Sequence, residues 1–149
     1  RYWLKGAVNL ADTDFDPFQA QVAREGTDAT ILAHGPLLPV ALAAAAASDE
    51  HRRPTAVIDL RSTSPMAAPT VAASVVKTGR LIVAHEAPTF GGMGGELAAA
   101  ITERCFYSLQ APVLRVGGYY IPYPVPRTED EYVPDIDRIL EAVDRSFEY

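Results

Sequence analysis

Short, continuous apolar runs alternate four times with helix-like segments after Gly26. The runs lack the polar alternation of a sheet with one wet face, so they are typical of strands buried on both faces. The helical segments between them would cover the two faces of a parallel sheet. This pattern predicts a three-layer α/β/α domain with a mostly parallel sheet. The predicted strands are Thr30–Ala33, Val57–Leu60, Leu81–Ala84 and Val113–Val116.

Four segments carry helix signals. Residues 37–50 are rich in alanine, the residue with the highest helix propensity. Residues 70–77 run into the sequence Lys77-Thr78-Gly79, which is typical of a helix C-terminus. Residues 135–147 repeat apolar side chains at helical spacing. In residues 96–109 the apolar positions recur every four residues and include Cys105. This spacing places Cys105 on the apolar face, which predicts a buried, unreactive thiol.

Composition excludes several classes of protein. The 149 residues suit one domain, and a single cysteine cannot form a disulfide framework within the chain. Thirteen basic residues against nineteen acidic ones give a net charge of −6, and no basic stripe is present, so a nucleic-acid partner is not expected. The longest apolar run, residues 37–47, is too short for a bilayer, which needs roughly 20 apolar residues.

The first residues are expected to be a lead-in from an upstream domain. The chain starts Arg1-Tyr2-Trp3 without an initiator methionine or a targeting leader, as a piece of a longer protein would. We therefore predict an irregular segment over residues 1–26 and one folded domain over residues 27–149.

Within that lead-in, Asp12, Asp14 and Asp16 resemble the start of a calcium-binding loop. Such a loop needs glycine at its sixth position and glutamate at its twelfth. Those positions hold Pro17 and Ala23, so the pattern indicates a solvated loop instead.

A glycine-rich loop, Gly91–Gly95, lies between the third strand and its helix. Helix N-termini with glycines attract phosphate groups. However, the loop lacks the third glycine of a dinucleotide fingerprint and the lysine of a phosphate-binding loop, and Glu96 would repel an anion. Close packing of the loop against a neighbour is the favoured interpretation.

His85 and Glu86 follow the third predicted strand at its carboxyl end, where ligands of open α/β sheets usually bind. Such a pair is suited to acid–base chemistry, but adjacent strand residues point to opposite faces. A structural or interface role is therefore favoured. The three histidines, His34, His51 and His85, lack the spacing of ligands in a zinc site. The chain also contains no Gly-x-Ser-x-Gly motif, which is typical of serine hydrolases.

Two apolar features suggest an interface. Phe90 and Met93 are large apolar residues on the glycine-rich loop, and we expect them to mediate self-association. Tyr119, Tyr120 and Tyr123 form an aromatic cluster in a proline-rich loop over residues 117–134. The tyrosines suit an anchor for a partner or packing of the loop itself, and the sequence leaves these alternatives open.

Nine short segments, in this order and spacing, form a recognisable pattern: Arg24–Thr30, Val57–Ser62, Ser64-Pro65, Ser74–Arg80, His85–Pro88, Glu96–Ala98, Ala111–Val113, Arg115-Val116 and Pro122–Pro124. The pattern resembles the C-terminal domain of transketolase-like proteins. More narrowly, it resembles the β subunit of the thiamine-diphosphate-dependent, decarboxylating component of 2-oxo acid dehydrogenase complexes. The segment His85–Pro88 favours the branched-chain type.

The resemblance implies an oxidoreductase that decarboxylates a branched-chain 2-oxo acid and passes the acyl group to a lipoyl arm. In the family, thiamine diphosphate with magnesium sits between the α subunit and the N-terminal half of the β subunit. This chain is then expected to be a non-catalytic assembly domain, with no catalytic, cofactor or metal residues and no activity alone. Its implied partners are a second β subunit, the α subunit and the lipoyl-bearing acyltransferase core. The interface candidates are His85, Glu86, Phe90, Gly91, Gly92, Met93, Gly94, Tyr119, Tyr120 and Tyr123.

Two positions depart from the family pattern. Tyr120 stands where the family often has aspartate. The family also tends to have an acidic residue soon after Ser64-Pro65, where this chain has Met66-Ala67-Ala68-Pro69. Alternatives to the branched-chain interpretation are the equivalent domain of a pyruvate or acetoin dehydrogenase, of a transketolase or of a deoxyxylulose phosphate synthase. A free-standing nucleotide-binding module is a further alternative. The expected compartment is the bacterial cytoplasm, with the mitochondrial matrix as the alternative.

Overall fold

The structure, a computed structural model, describes Lys5, Ala7 and residues 16–149. The start of the chain and two members of the calcium pattern, Asp12 and Asp14, lie outside the described residues. Within the described residues, five strands form one sheet in the order β1-β3-β2-β4-β5. The strands are β1 Gln21–Arg24, β2 Ala29–Ala33, β3 Thr55–Asp59, β4 Leu81–Pro88 and β5 Leu114–Gly118. The helices are α1 Leu38–Glu50, α2 Ala68–Thr78, α3 Gly94–Cys105, α4 Glu129–Tyr132 and α5 Ile136–Arg145.

The sheet is mixed. Strands β3, β2, β4 and β5 run parallel, whereas β1 pairs antiparallel with β3 at the edge. The mostly parallel sheet is therefore as predicted, but the expectation that residues 1–26 are wholly irregular is wrong over Gln21–Arg24. This strand is largely exposed, so it lacks the apolar run that identified the others.

Two helical layers cover the sheet and confirm the three-layer architecture. Side chains such as Ile31 and Val57 pack with α1 and α5 in one core cluster. Their neighbours Leu32 and Ile58 pack with α2 and α3 in the other. Adjacent strand residues therefore alternate between two dry cores, which accounts for the continuous apolar runs.

Local signals set the helix ends. Pro69 lies in the first turn of α2, whose N-cap Ala67 offers no side-chain acceptor. Gly79 ends this helix with φ of +72°, a conformation that favours glycine. At α5, the Asp135 carboxylate caps the helix by accepting a hydrogen bond from the backbone N–H of Arg138.

The proline-rich segment 117–134 is more ordered than predicted. It holds a 3₁₀ turn at Pro126–Thr128 followed by α4, and it places Tyr132 in the interior at 3% exposure. Across the described residues, none of the helices combines the length and apolar character needed to cross a bilayer.

Candidate functional site

Strands β4 and β5 run side by side to the carboxyl edge of the sheet. Strand β4 continues four residues beyond its predicted end, so His85 and Glu86 lie within the strand. Thr89 then donates its backbone N–H to the carbonyl of Gly118, which joins the two strand ends. The glycine-rich loop and the tyrosine-rich loop therefore leave the sheet next to each other.

His85 is buried in a cradle of glycines. Its side chain lies under the glycine-rich loop at 1% exposure. A Cβ atom added to Gly94 would lie 2.2 Å from the ring nitrogen Nε2. Cβ atoms at Gly92 and Gly117 would lie 2.8 and 2.9 Å from the ring carbon Cε1. The glycines are therefore needed to make room for this ring, which confirms the close-packing interpretation of the loop.

The surroundings of His85 favour a neutral imidazole. Neither ring nitrogen has a hydrogen-bond partner within hydrogen-bonding geometry among the described residues. Burial is the main influence on the pKa of His85 and lowers it. The backbone of Ala87 raises this pKa by less than burial lowers it, and the charges of His34 and Arg115 lower it further. A buried neutral ring is suited to packing rather than to proton exchange with solvent.

Glu86 lies on the other side of the strand from His85. It lines a crevice beside α1 and α5, with Leu37 and Pro134 among its neighbours. The two side chains therefore do not converge on one reacting atom, as the strand geometry predicted.

Exposed, mostly aromatic side chains lie on both loops, and we call them the aromatic surface. We define it as Phe90, Tyr119, Tyr120, Ile121 and Tyr123, each between 50% and 76% exposed. The rings of Phe90 and Tyr120 meet with centroids 4.7 Å apart. Two features that the sequence suggested separately therefore form one surface.

Tyr132, which sequence reasoning missed, supports this aromatic surface from below. Its buried ring lies 5.0 Å from that of Tyr123 and 6.5 Å from that of Tyr119, centroid to centroid. A Cβ atom at Gly118 would lie 2.4 Å from the Tyr132 ring. The cluster therefore packs the loop against Tyr132 while its own rings stay exposed. Its use as an anchor for a partner stays a prediction.

The interface candidates differ in accessibility. Phe90 and Gly91 are exposed, and Met93 is half-buried against the core below α2 and α3. His85 and Gly94 are buried within the chain, so a role for them in an interface would act through the shape of the loop. Cys105 is buried as predicted, and burial raises the pKa of its thiol.

The glycine-rich loop does not fit a diphosphate. Its inner side is filled by the His85 ring, and Glu96 carries a negative charge in the first turn of α3. Among the described residues, no group of three or more His, Cys, Asp or Glu side chains is arranged to hold a metal ion. The inner side of this loop therefore has no room for a diphosphate, and the Glu96 carboxylate would repel one.

Comparison with known proteins supports the fold described above. Residues 19–139 match the family described as transketolase, C-terminal domain. The chain is 49% identical over its whole length to a pyruvate dehydrogenase E1 component subunit beta of Leifsonia xyli, covering 44% of that protein. It is 43% identical to a 3-methyl-2-oxobutanoate dehydrogenase subunit beta of Mycobacterium tuberculosis, covering 97% of this chain and 42% of the relative.

A solved structure shares the fold. A split-gene transketolase, described as an inactive beta4 tetramer, matches with a TM-score of 0.78 and 26% identity. The match covers 96% of this chain and 46% of that one. The chain spans less than half the length of each of these relatives.

Proposed function

Because the chain belongs to the transketolase C-terminal domain family, we propose that it is the assembly domain of the β subunit of a branched-chain 2-oxo acid dehydrogenase. The observation that carries this proposal is the exposed aromatic surface. In this proposal the whole enzyme decarboxylates a 2-oxo acid oxidatively and passes the acyl group to a lipoyl arm. Thiamine diphosphate and magnesium are bound by other parts of that enzyme, and this chain alone is inactive.

Partners in this proposal are a second β subunit, the α subunit and the lipoyl-bearing acyltransferase core. The second β subunit is assigned to the aromatic surface. Contiguous exposed apolar patches are uncommon on monomeric proteins and usually mark interaction sites. Tyrosine and phenylalanine supply large contact areas at low entropic cost, and homodimers are generally two-fold symmetric.

Replacing Phe90 with aspartate tests this assignment. Phe90 is 69% exposed, so the change should leave the fold intact while placing a charge in the desolvated contact. We expect self-association to weaken at least 30-fold, on the order of 2 kcal/mol as for a central interface residue. Sedimentation analysis measures the association constant, and circular dichroism checks the fold.

Phe106→Asp is the matched control for this experiment. Phe106 is 64% exposed and follows the far end of α3, about 18 Å along the helix axis from the glycine-rich loop. Its substitution should leave self-association unchanged. Equal loss from both variants, or none from Phe90→Asp, would move the interface away from the aromatic surface.

The branched-chain assignment is supported by the His85-Glu86-Ala87-Pro88 segment and by the name of the Mycobacterium relative. The Leifsonia relative is named a pyruvate dehydrogenase, which makes pyruvate the alternative substrate. We expect the whole enzyme, with its α subunit, to show a higher kcat/KM for 3-methyl-2-oxobutanoate than for pyruvate. The reverse order would assign it to the pyruvate type.

Both relatives are bacterial proteins, and we propose the bacterial cytoplasm as the compartment.

A further inference from the structure

A crevice of about 510 Å³ opens where β4, α1 and α5 meet, away from the glycine cradle of His85. Its walls are apolar and include Leu37, Val40 and Val133. Its volume falls in the range of about 300–1,000 Å³ that is typical of binding pockets. We call this feature the acidic crevice because of the side chains described next.

Among the described residues, four carboxylates line the acidic crevice, those of Glu86, Asp130, Asp135 and Asp137. Glu86 and Asp135 already have partners within the chain, so Asp130 and Asp137 supply the charge for an occupant. Among the described residues that line it, none is a lysine, arginine or histidine. The nearby Arg138 is engaged elsewhere, because its guanidinium donates hydrogen bonds to two backbone carbonyls and lies 4.5 Å from the Tyr119 ring centroid. The crevice therefore combines apolar walls with negative charge.

The rim of the acidic crevice also exposes apolar surface to solvent. Ile136 is 39% exposed at the start of α5, directly between two aspartates of the rim. An occupant that covers Ile136 and approaches Asp137 must bring both apolar atoms and positive charge. Lysine and arginine side chains meet this requirement, since an aliphatic stem carries a cationic head.

We propose that the acidic crevice docks a segment of a partner protein that presents a lysine or arginine next to an aliphatic side chain. A second copy of this chain is a poorer occupant, because each copy carries a net charge of −6. The proposal concerns a surface separate from the aromatic surface and does not depend on the proposed function.

Binding of two defined peptides to the 149-residue chain tests the proposal. One is an acetylated, amidated tetrapeptide of leucine, arginine, leucine and lysine, and the other has glutamine in place of both cationic residues. Backbone amide shifts of the labelled chain report binding residue by residue. We expect saturable shifts at residues 130–137 with the cationic peptide, and binding at least fivefold weaker with the neutral one.

A double variant, Asp130→Asn with Asp137→Asn, is expected to weaken cationic-peptide binding about tenfold. Both side chains are exposed, so their loss should not unfold the chain. Asp135 is kept because it caps α5. The control, Glu141→Gln with Glu148→Gln, makes the same charge change at exposed positions outside the crevice and should leave affinity unchanged.

Four results would overturn the proposal. These are equal binding of the two peptides, shifts located outside the crevice, equal weakening by the two double variants, and shifts at residues 130–137 that grow with protein concentration without peptide. The last would instead assign the crevice to a second copy of the chain. Each result is independent of the outcome for Phe90→Asp.

Discussion

Replacing Gly94 with alanine is expected to lower the free energy of unfolding by about 3 kcal/mol, the upper part of the usual range for overpacking. The new Cβ would lie 2.2 Å from Nε2 of His85, and that ring has no room to move because Gly92 and Gly117 also border it. Alanine has a helix propensity about 1 kcal/mol better than glycine, but this gain is smaller than the cost of the clash.

Chemical denaturation of the variant and the original chain measures this loss. Gly95→Ala is the matched control, because its Cβ would meet only the Arg115 side chain at an ordinary 3.5 Å. We expect Gly95→Ala to be neutral or stabilising. A comparable loss from both variants would show that the first turn of α3, rather than the histidine, sets the requirement for glycine.

A double variant separates the clash from other effects. In a His85→Ala background the ring is absent, so Gly94→Ala should cost less than 1 kcal/mol. The difference between the two backgrounds is the coupling energy of the pair, and it should exceed about 2 kcal/mol. A coupling near zero would contradict the cradle, because the alanine would then be harmful for a reason unrelated to His85.

The glycine cradle shows how far the sequence alone could lead. The run Gly91–Gly95 indicated close packing, but the packed side chain precedes the run in β4 and the third glycine, Gly117, lies in β5. A local pattern indicates that backbone must approach something closely. Only the pairing of β4 with β5 determines that this is His85.

The strands were predictable for a physical reason, and so was the error at the amino end. Adjacent residues such as Ile31 and Leu32 face the two different cores, which requires continuous apolar runs. Strand β1 pairs by its backbone at the sheet edge and exposes Val22 at 40%. Its side chains are largely exposed and need not be apolar, so no apolar run marks the strand.

The exposed tyrosines of the aromatic surface were predictable from the sequence, whereas the buried Tyr132 beneath them was not. Tyrosines at 119, 120 and 123 formed a visible cluster, whereas Tyr132 lies in an acidic run that is typical of a solvated face. Its burial depends on Gly118, which leaves space for the ring at the end of β5. A lone aromatic residue among carboxylates, shortly before a proline, was the available signal.

Tyr132→Ala is expected to lower the free energy of unfolding by about 3–4 kcal/mol, as truncation of a buried aromatic side chain does. The ring is 3% exposed and fills the space between Gly118 and the rings of Tyr119 and Tyr123. Chemical denaturation measures the loss. Tyr107→Ala is the control, because Tyr107 is fully exposed and its loss should stay within about 0.5 kcal/mol.

The same variant connects stability to assembly. Without Tyr132 the rings of Tyr119 and Tyr123 lose the surface beneath them, so the aromatic surface is no longer held in one shape and self-association should weaken. Tyr132→Phe keeps the ring and should retain both stability and self-association to within about 1 kcal/mol. If Tyr132→Ala unfolds part of the chain yet leaves the association constant unchanged, self-association does not use the tyrosine-rich loop. Phe90 would then have to act without its neighbour Tyr120, which the 4.7 Å contact between their rings argues against.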